Sequence, residues 1–129
     1  TNPSYENLMD EICAFFAKRI KACRAAGIED TRLLVDPGFG FGKTALHNLE
    51  IINRLRQFKR FDLPVLIGVS RKSTIKKILG RNKECLTIGS VAAALIASLN
   101  GANILRVHDV RETVASLRVA RSIFNESFS

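Results

Sequence analysis

The sequence predicts an α/β protein built on a parallel sheet, and three observations carry that prediction. Apolar runs at Leu33 to Val35 and Val65 to Val69, and the segment Asn103 to Val107, have the length of strands. The stretches between them place apolar residues at steps of three and four, the spacing of one helix face. All three runs end in polar residues: Asp36, then Ser70-Arg71-Lys72, then Arg106-Val107-His108. Alternating strands and helices imply right-handed crossovers, which bring the carboxyl ends of the strands to one face, where ligands bind. The expected order is α-β-α-β-α-α-β-α, with three parallel strands.

A helix is expected from about Ser4 to Ala26, with Leu8, Ile12, Phe15, Phe16, Ile20 and Cys23 on one face, Ser4 as N-cap and Gly27 just past its end. The first strand stops at Asp36 because Pro37 has no N–H to offer a ladder. A second helix runs from about Thr44 to Lys59 and turns Leu46, Leu49, Ile52, Leu55 and Phe58 toward a core. Phe61-Asp62-Leu63-Pro64 breaks it. Val65 to Val69 reads as apolar on both faces, as in a parallel sheet covered by helices. A short helix reaches about Leu79, and the polar loop Gly80 to Glu84 follows. A long helix from Thr87 to Asn100 carries Ala92, Ala93, Ala94 and Ala97, small enough for close packing, and Gly101 ends it. In the final helix Val110, Val114, Leu117 and Phe124 form a stripe, with Asp109 and Glu112 arranged like a capping box. His47, with no evident partner, reads as exposed.

Three strands leave two open edges, and a lone helix precedes the first of them. With Thr1 in first place, residues 1–129 are expected to be a single partial domain from a longer barrel or open sheet.

The chain is 47% hydrophobic and carries few prolines, which excludes a disordered protein. Val91 to Leu99, the longest apolar stretch, is too short to span a bilayer, and no signal peptide opens the chain. Cys13, Cys23 and Cys85 are odd in number without a Cys-x-x-Cys spacing, so reduced thiols and a cytoplasmic setting are expected. The net charge of +8 calls for an anionic partner. Nucleic acid is not that partner on this reading, because the basic residues are scattered over several helices and no recognition module is present. With two histidines and no cysteine pair, a zinc site has no support.

The chemistry concentrates at the strand ends. Gly38-Phe39-Gly40-Phe41-Gly42-Lys43 offers a bare backbone flanked by aromatic faces, next to the Asp36 carboxylate. That combination suits a flat, polar heterocycle. A P-loop would need glycine at Pro37, and a dinucleotide loop would need it at Lys43, so both readings fail by one residue. Arg71 and Lys72 stand near a helix start, where the dipole opposes cations, and a bound anion resolves that conflict. Arg106 and His108 are two apart on a strand and share a face, which suits a phosphate grip.

Asp36-Pro37-Gly38-Phe39-Gly40-Phe41-Gly42-Lys43, Gly68-Val69-Ser70-Arg71-Lys72-Ser73 and Arg106-Val107-His108-Asp109-Val110, in this order and spacing, resemble the dihydropteroate synthase family across essentially the whole chain. The resemblance implies a (β/α)8 TIM-type barrel of which this chain is the C-terminal portion, strands six to eight with their helices. The implied enzyme joins 6-hydroxymethyl-7,8-dihydropterin pyrophosphate to p-aminobenzoate, with sulfonamides as competitors. On that analogy Asp36, Gly68 and Lys72 bind the pterin. Phe41, Ser70, Arg71 and Ser73 border the p-aminobenzoate, and Arg106 and His108 hold the pyrophosphate. Lys72, Arg106 and His108 are the implied catalytic residues. Mg2+ is implied for the full-length enzyme, with its ligand position outside this chain, as is a homodimer through the C-terminal helices. The chain alone is expected to be inactive. The alternatives are a non-catalytic dimerisation or assembly half-domain, and a pterin-binding methyltransferase barrel.

Overall fold

The computed structural model describes residues 5–38, 44–69 and 72–128, with the side chains at 5–7 and 72 outside that description. Helix α1 (Tyr5–Ala25) ends as its sequence dictates. Gly27 takes φ +86°, and the N–H groups of Gly27 and Ile28 donate to the carbonyls of Arg24 and Cys23, each at 3.0 Å. Those are the two bonds of a left-handed helix closure, a conformation glycine adopts without a Cβ penalty. The expected cap at Ser4 lies outside the described residues. Leu8, Met9, Ile12, Cys13, Phe16 and Ile20 form the buried face of α1, whereas Phe15 turns outward.

The sheet is smaller than predicted. Strands β1 (Leu66–Gly68) and β2 (Ile104–Arg106) pair in parallel, in the register Leu66–Ile104, Ile67–Leu105, Gly68–Arg106. The expected first strand shrinks to one parallel bridge between Val35 and Val65. It is shortened from both sides. A 3-10 turn at Asp30–Arg32 occupies the approach, its closing bond running from the Leu33 N–H to the Asp30 carbonyl. Beyond Val35, Asp36 Oδ1 accepts the Gly38 N–H at 2.9 Å and bends the chain away. Val35 still donates to the Pro64 carbonyl and accepts from the Leu66 N–H, both at 2.9 Å.

Among the described residues, helices cover one face of the sheet. Val35, Val65, Ile67 and Val69 are buried in the core, with Leu105 and Val107 packed against it. On the opposite face Leu34 is 47% and Ile104 41% exposed, so the two-sided burial expected for these strands is not met.

The predicted helix from Thr44 to Lys59 is two elements, α2 (Ala45–Asn53) and a 3-10 helix at Leu55–Phe61. Leu55, Phe58 and Phe61 recur at intervals of three, and a three-residue turn stacks them on one side. Leu55 and Phe58 are fully buried. Phe16 meets Phe58 edge-on at 5.7 Å between ring centroids and Phe61 at 5.9 Å, locking α1 onto this segment. Leu46 and Leu49 are exposed instead of core-facing, and Ile51 takes the buried position.

Helix α3 (Lys72–Leu79) leads to α4 (Lys83–Leu99), which starts four residues earlier than expected because Asn82 Oδ1 caps it, accepting the Cys85 N–H at 3.1 Å. Ala94 and Ala97 are fully buried, while Ala92 faces outward. Helix α5 (Val110–Asn125) begins without the predicted capping box. Asp109 has φ −90° and ψ 68°, and its side chain makes no cap bond. Its carbonyl accepts from the Thr113 hydroxyl at 2.7 Å. Thr113 is the buried residue of this helix, and Val110, Val114 and Phe124 of the predicted stripe are exposed. No described helix is long and apolar enough to cross a membrane.

Candidate functional site

The open face of the sheet carries the candidate residues because strand side chains alternate between faces. Gly68, Arg106 and His108 fall on the side opposite Ile67, Val69 and Val107. Gly68 and Arg106 are direct partners in the β1–β2 register. The Arg106 guanidinium lies against the Gly68 backbone, so a methyl group on Gly68 would come within 2.6 Å of Nη2 and 3.0 Å of Nε. Glycine here makes room for a cation. Arg106 and His108 are both exposed on this face, with Val107 between them packed into the core.

Asp36 is half-buried at the neighbouring strand end. Its Oδ1 is occupied by the Gly38 N–H, which fixes the carboxylate's orientation. Ser73 stands exposed in the first turn of α3, directly after β1 in the chain, and Lys72 is the first residue of that helix. The backbone places Gly68, Lys72, Ser73, Arg106 and His108 at the carboxyl ends of β1 and β2 or just beyond them, and Asp36 directly after the Val35–Val65 bridge. Phe41, Ser70 and Arg71 lie outside the described residues.

Sequence reasoning missed three polar residues next to this site. His47 has a partner after all: Thr44 Oγ1 accepts the His47 N–H at 3.2 Å and His47 Nδ1 accepts the Thr44 N–H at 3.3 Å. This reciprocal cap stiffens the first turn of α2, where the glycine loop ends. Asn48 Nδ2 donates to Thr74 Oγ1 at 2.9 Å, joining α2 to α3. No local pattern marks either residue, since Asn48 follows His47 and Thr74 follows Arg71-Lys72-Ser73. Both border a small cavity of about 40 Å³ that also touches Gly38 and Gly68.

Among the described residues no group of three His, Cys, Asp or Glu side chains could hold a metal ion. The Mg2+ implied by the resemblance finds no such group there.

A one-sided parallel sheet with a carboxylate, a cation and an imidazole at its carboxyl ends defines an α/β protein whose polar groups gather where such folds place their ligand sites. The model of the pterin binding enzymes matches residues 1–108, and the chain belongs to that family. It is 45% identical over 120 residues to the dihydropteroate synthase of Escherichia coli K12, covering 93% of this chain and 43% of that protein. The Yersinia pestis dihydropteroate synthase in a sulfonamide drug complex superposes with a TM-score of 0.86 at 44% identity, over 98% of this chain and 46% of that one. The Xanthomonas albilineans enzyme in complex with 7,8-dihydropteroate gives 0.86 at 43% identity, over 94% of this chain and 48% of its own. The chain therefore spans less than half the length of these relatives.

Proposed function

We propose that this chain supplies strands six to eight of a (β/α)8 barrel whose complete form is a dihydropteroate synthase. The observation that carries the reading is the Arg106 guanidinium seated on Gly68, with Asp36 at the strand end beside it. The complete enzyme condenses 6-hydroxymethyl-7,8-dihydropterin pyrophosphate with p-aminobenzoate. Asp36 accepts hydrogen bonds from the N–H-rich edge of the pterin, and Gly68 and Lys72 complete that pocket. Phe41, Ser70, Arg71 and Ser73 border the p-aminobenzoate. The C–O bond to pyrophosphate breaks ahead of amine attack, leaving a methylene cation stabilised by the pterin. The amine nitrogen then forms the new C–N bond and loses a proton. Arg106 and His108 take up the charge that develops on the departing pyrophosphate.

The pterin and amine ligands are supported by the dihydropteroate and sulfonamide complexes of the two related enzymes. The open sheet face and the short strands are what a barrel segment presents when separated from its remaining strands. Any Mg2+ would be ligated outside these residues, and the setting would be cytoplasmic. Apolar residues exposed on α5, among them Val119, Ile123 and Phe124, support a homodimer through the C-terminal helices.

A chimaera tests the reading, with this chain replacing the matching 120-residue segment of the Escherichia coli enzyme. Steady-state assays should detect 7,8-dihydropteroate from the chimaera and none from the isolated chain. A folded chimaera that makes no dihydropteroate overturns the proposal, and turnover by the isolated chain overturns the need for the other strands.

A further inference from the structure

We propose that Asn103, held by Lys59, is a pin that fixes the register of β2 and keeps Arg106 against Gly68, an inference that rests on the functional reading above. The pin lies at the start of the strand, three residues before Arg106 and about 10 Å from it along the chain. The Val65 carbonyl accepts the N–H groups of Asn103 at 2.8 Å and Ile104 at 3.1 Å. The Val65 N–H in turn donates to Asn103 Oδ1 at 3.0 Å. That last bond uses a side chain where a ladder would use a carbonyl, so it belongs to one register. Lys59 Nζ donates to the same Oδ1 at 2.8 Å and to the Gly101 carbonyl at 3.0 Å. Two donors on one oxygen fix the orientation of the amide. Lys59 is itself anchored: it follows the fully buried Phe58, and its stem lies against Gly101, where a Cβ would come within 3.1 Å of Cδ.

The ladder is short enough to need a pin, with three residue pairs between β1 and β2. Hydrophobic alternation forbids a slip of one residue, which would turn Leu105 and Val107 away from the core. A slip of two keeps both inside and sets Ile104 or His108 opposite Gly68 in place of Arg106. The Asn103 side chain discriminates against that slip. At the other end of the strand the Val69 N–H reaches the Arg106 carbonyl at 3.3 Å, a longer bond than those on Val65. On the functional reading β2 and the residues just after it carry the pyrophosphate grip, Arg106 and His108. Asp36, Gly68 and Lys72 stand on the other side of the pin, on the Val35 segment, β1 and α3. The Val35 segment is tied to Pro64 and Leu66 by bonds of 2.9 Å that do not involve Asn103. Loss of the pin therefore displaces the pyrophosphate grip relative to the pterin residues.

The test uses the chimaera described above and compares, by calorimetry, the pyrophosphate ester of hydroxymethyl-dihydropterin with the free alcohol. Asn103→Ala and Lys59→Met should each cut the ester's advantage by about fivefold or more, with affinity for the alcohol within about twofold of the parent. Asn103→Asp, which keeps an oxygen for both donors, should retain the parent's advantage. Adding Lys59→Met to Asn103→Ala should cost little more, as expected of two residues acting through one bond. Thermal melts follow folding, and if Asn103→Ala does not fold, Asn103→Ser takes its place. An advantage that survives loss of the Asn103 amide, one that falls with Lys59→Met alone, or equal losses for ester and alcohol overturns the pin and leaves the functional reading intact. A folded parent chimaera that does not prefer the ester overturns the functional reading, and the pin with it.

Discussion

Arg106 rests on Gly68, its partner across the parallel ladder, with Nη2 within 2.6 Å of where a side chain would begin. The atoms in the way belong to the free end of an exposed, flexible side chain. A Gly68→Ala variant should therefore fold, losing no more than about 1 kcal/mol in a denaturant titration. Its guanidinium must move, however, and in the chimaera kcat/KM should fall by about tenfold or more. Adding Arg106→Ala to Gly68→Ala should cost little beyond Arg106→Ala alone, because both changes remove the same cation.

The Phe16–Phe58–Phe61 cluster joins α1 to the 3-10 helix, and Phe58 is fully buried. Phe58→Ala should cost about 3–5 kcal/mol of stability by lost burial and the cavity left behind. Urea unfolding of the chimaera measures this. Phe15→Ala, on the exposed side of α1, should cost much less.

The three cysteines are free, and they differ in exposure. Burial pushes the Cys13 thiol above its ordinary range, with Arg60 opposing and Asp10 adding to the effect. A raised thiol holds less reactive thiolate at neutral pH. Iodoacetamide followed by mass mapping should label Cys23 and Cys85 first, and Cys13 only in denaturant. Early labelling of Cys13 would show that α1 does not pack as described.

Helix α5 exposes Val119, Ile123 and Phe124 together. If these residues form the contact between two copies, Ile123→Glu should shift the chimaera from dimer to monomer in sedimentation velocity without lowering its melting temperature. An unchanged sedimentation coefficient would place the interface elsewhere.

How legible the molecule was depends on the length scale of the signal. The helices of α1, α4 and α5 follow from periodicities sustained over many residues, and the strand ends follow from charged residues after apolar runs. The break in the second helix was also written in the chain, because Leu55, Phe58 and Phe61 recur every three residues and not at alternating steps of three and four. The loss of the first strand was harder to see. It turns on two local bonds, Leu33 to Asp30 and Gly38 to Asp36, which compete with the ladder at either end of a three-residue run. Burial was misjudged where partners decide it: Leu46, Leu49, Val110 and Val114 have the right spacing for a core and are left exposed among the described residues. At the site, Asp36, Gly68, Arg106 and His108 were visible as motif residues. The Asn48–Thr74 bond spans 26 positions and depends on how two helices pack, which no local pattern encodes.

The central claim is that the open sheet face recognises a pyrophosphate as well as a pterin, and calorimetry on the chimaera tests it most directly. The pyrophosphate ester of hydroxymethyl-dihydropterin should bind about 100-fold more tightly than the free alcohol, equivalent to about 2.7 kcal/mol. Replacing both Arg106 and His108 by alanine should remove most of that difference and leave affinity for the alcohol nearly unchanged. Equal affinities for ester and alcohol in the parent chimaera, or a preference that survives both substitutions, would contradict the account.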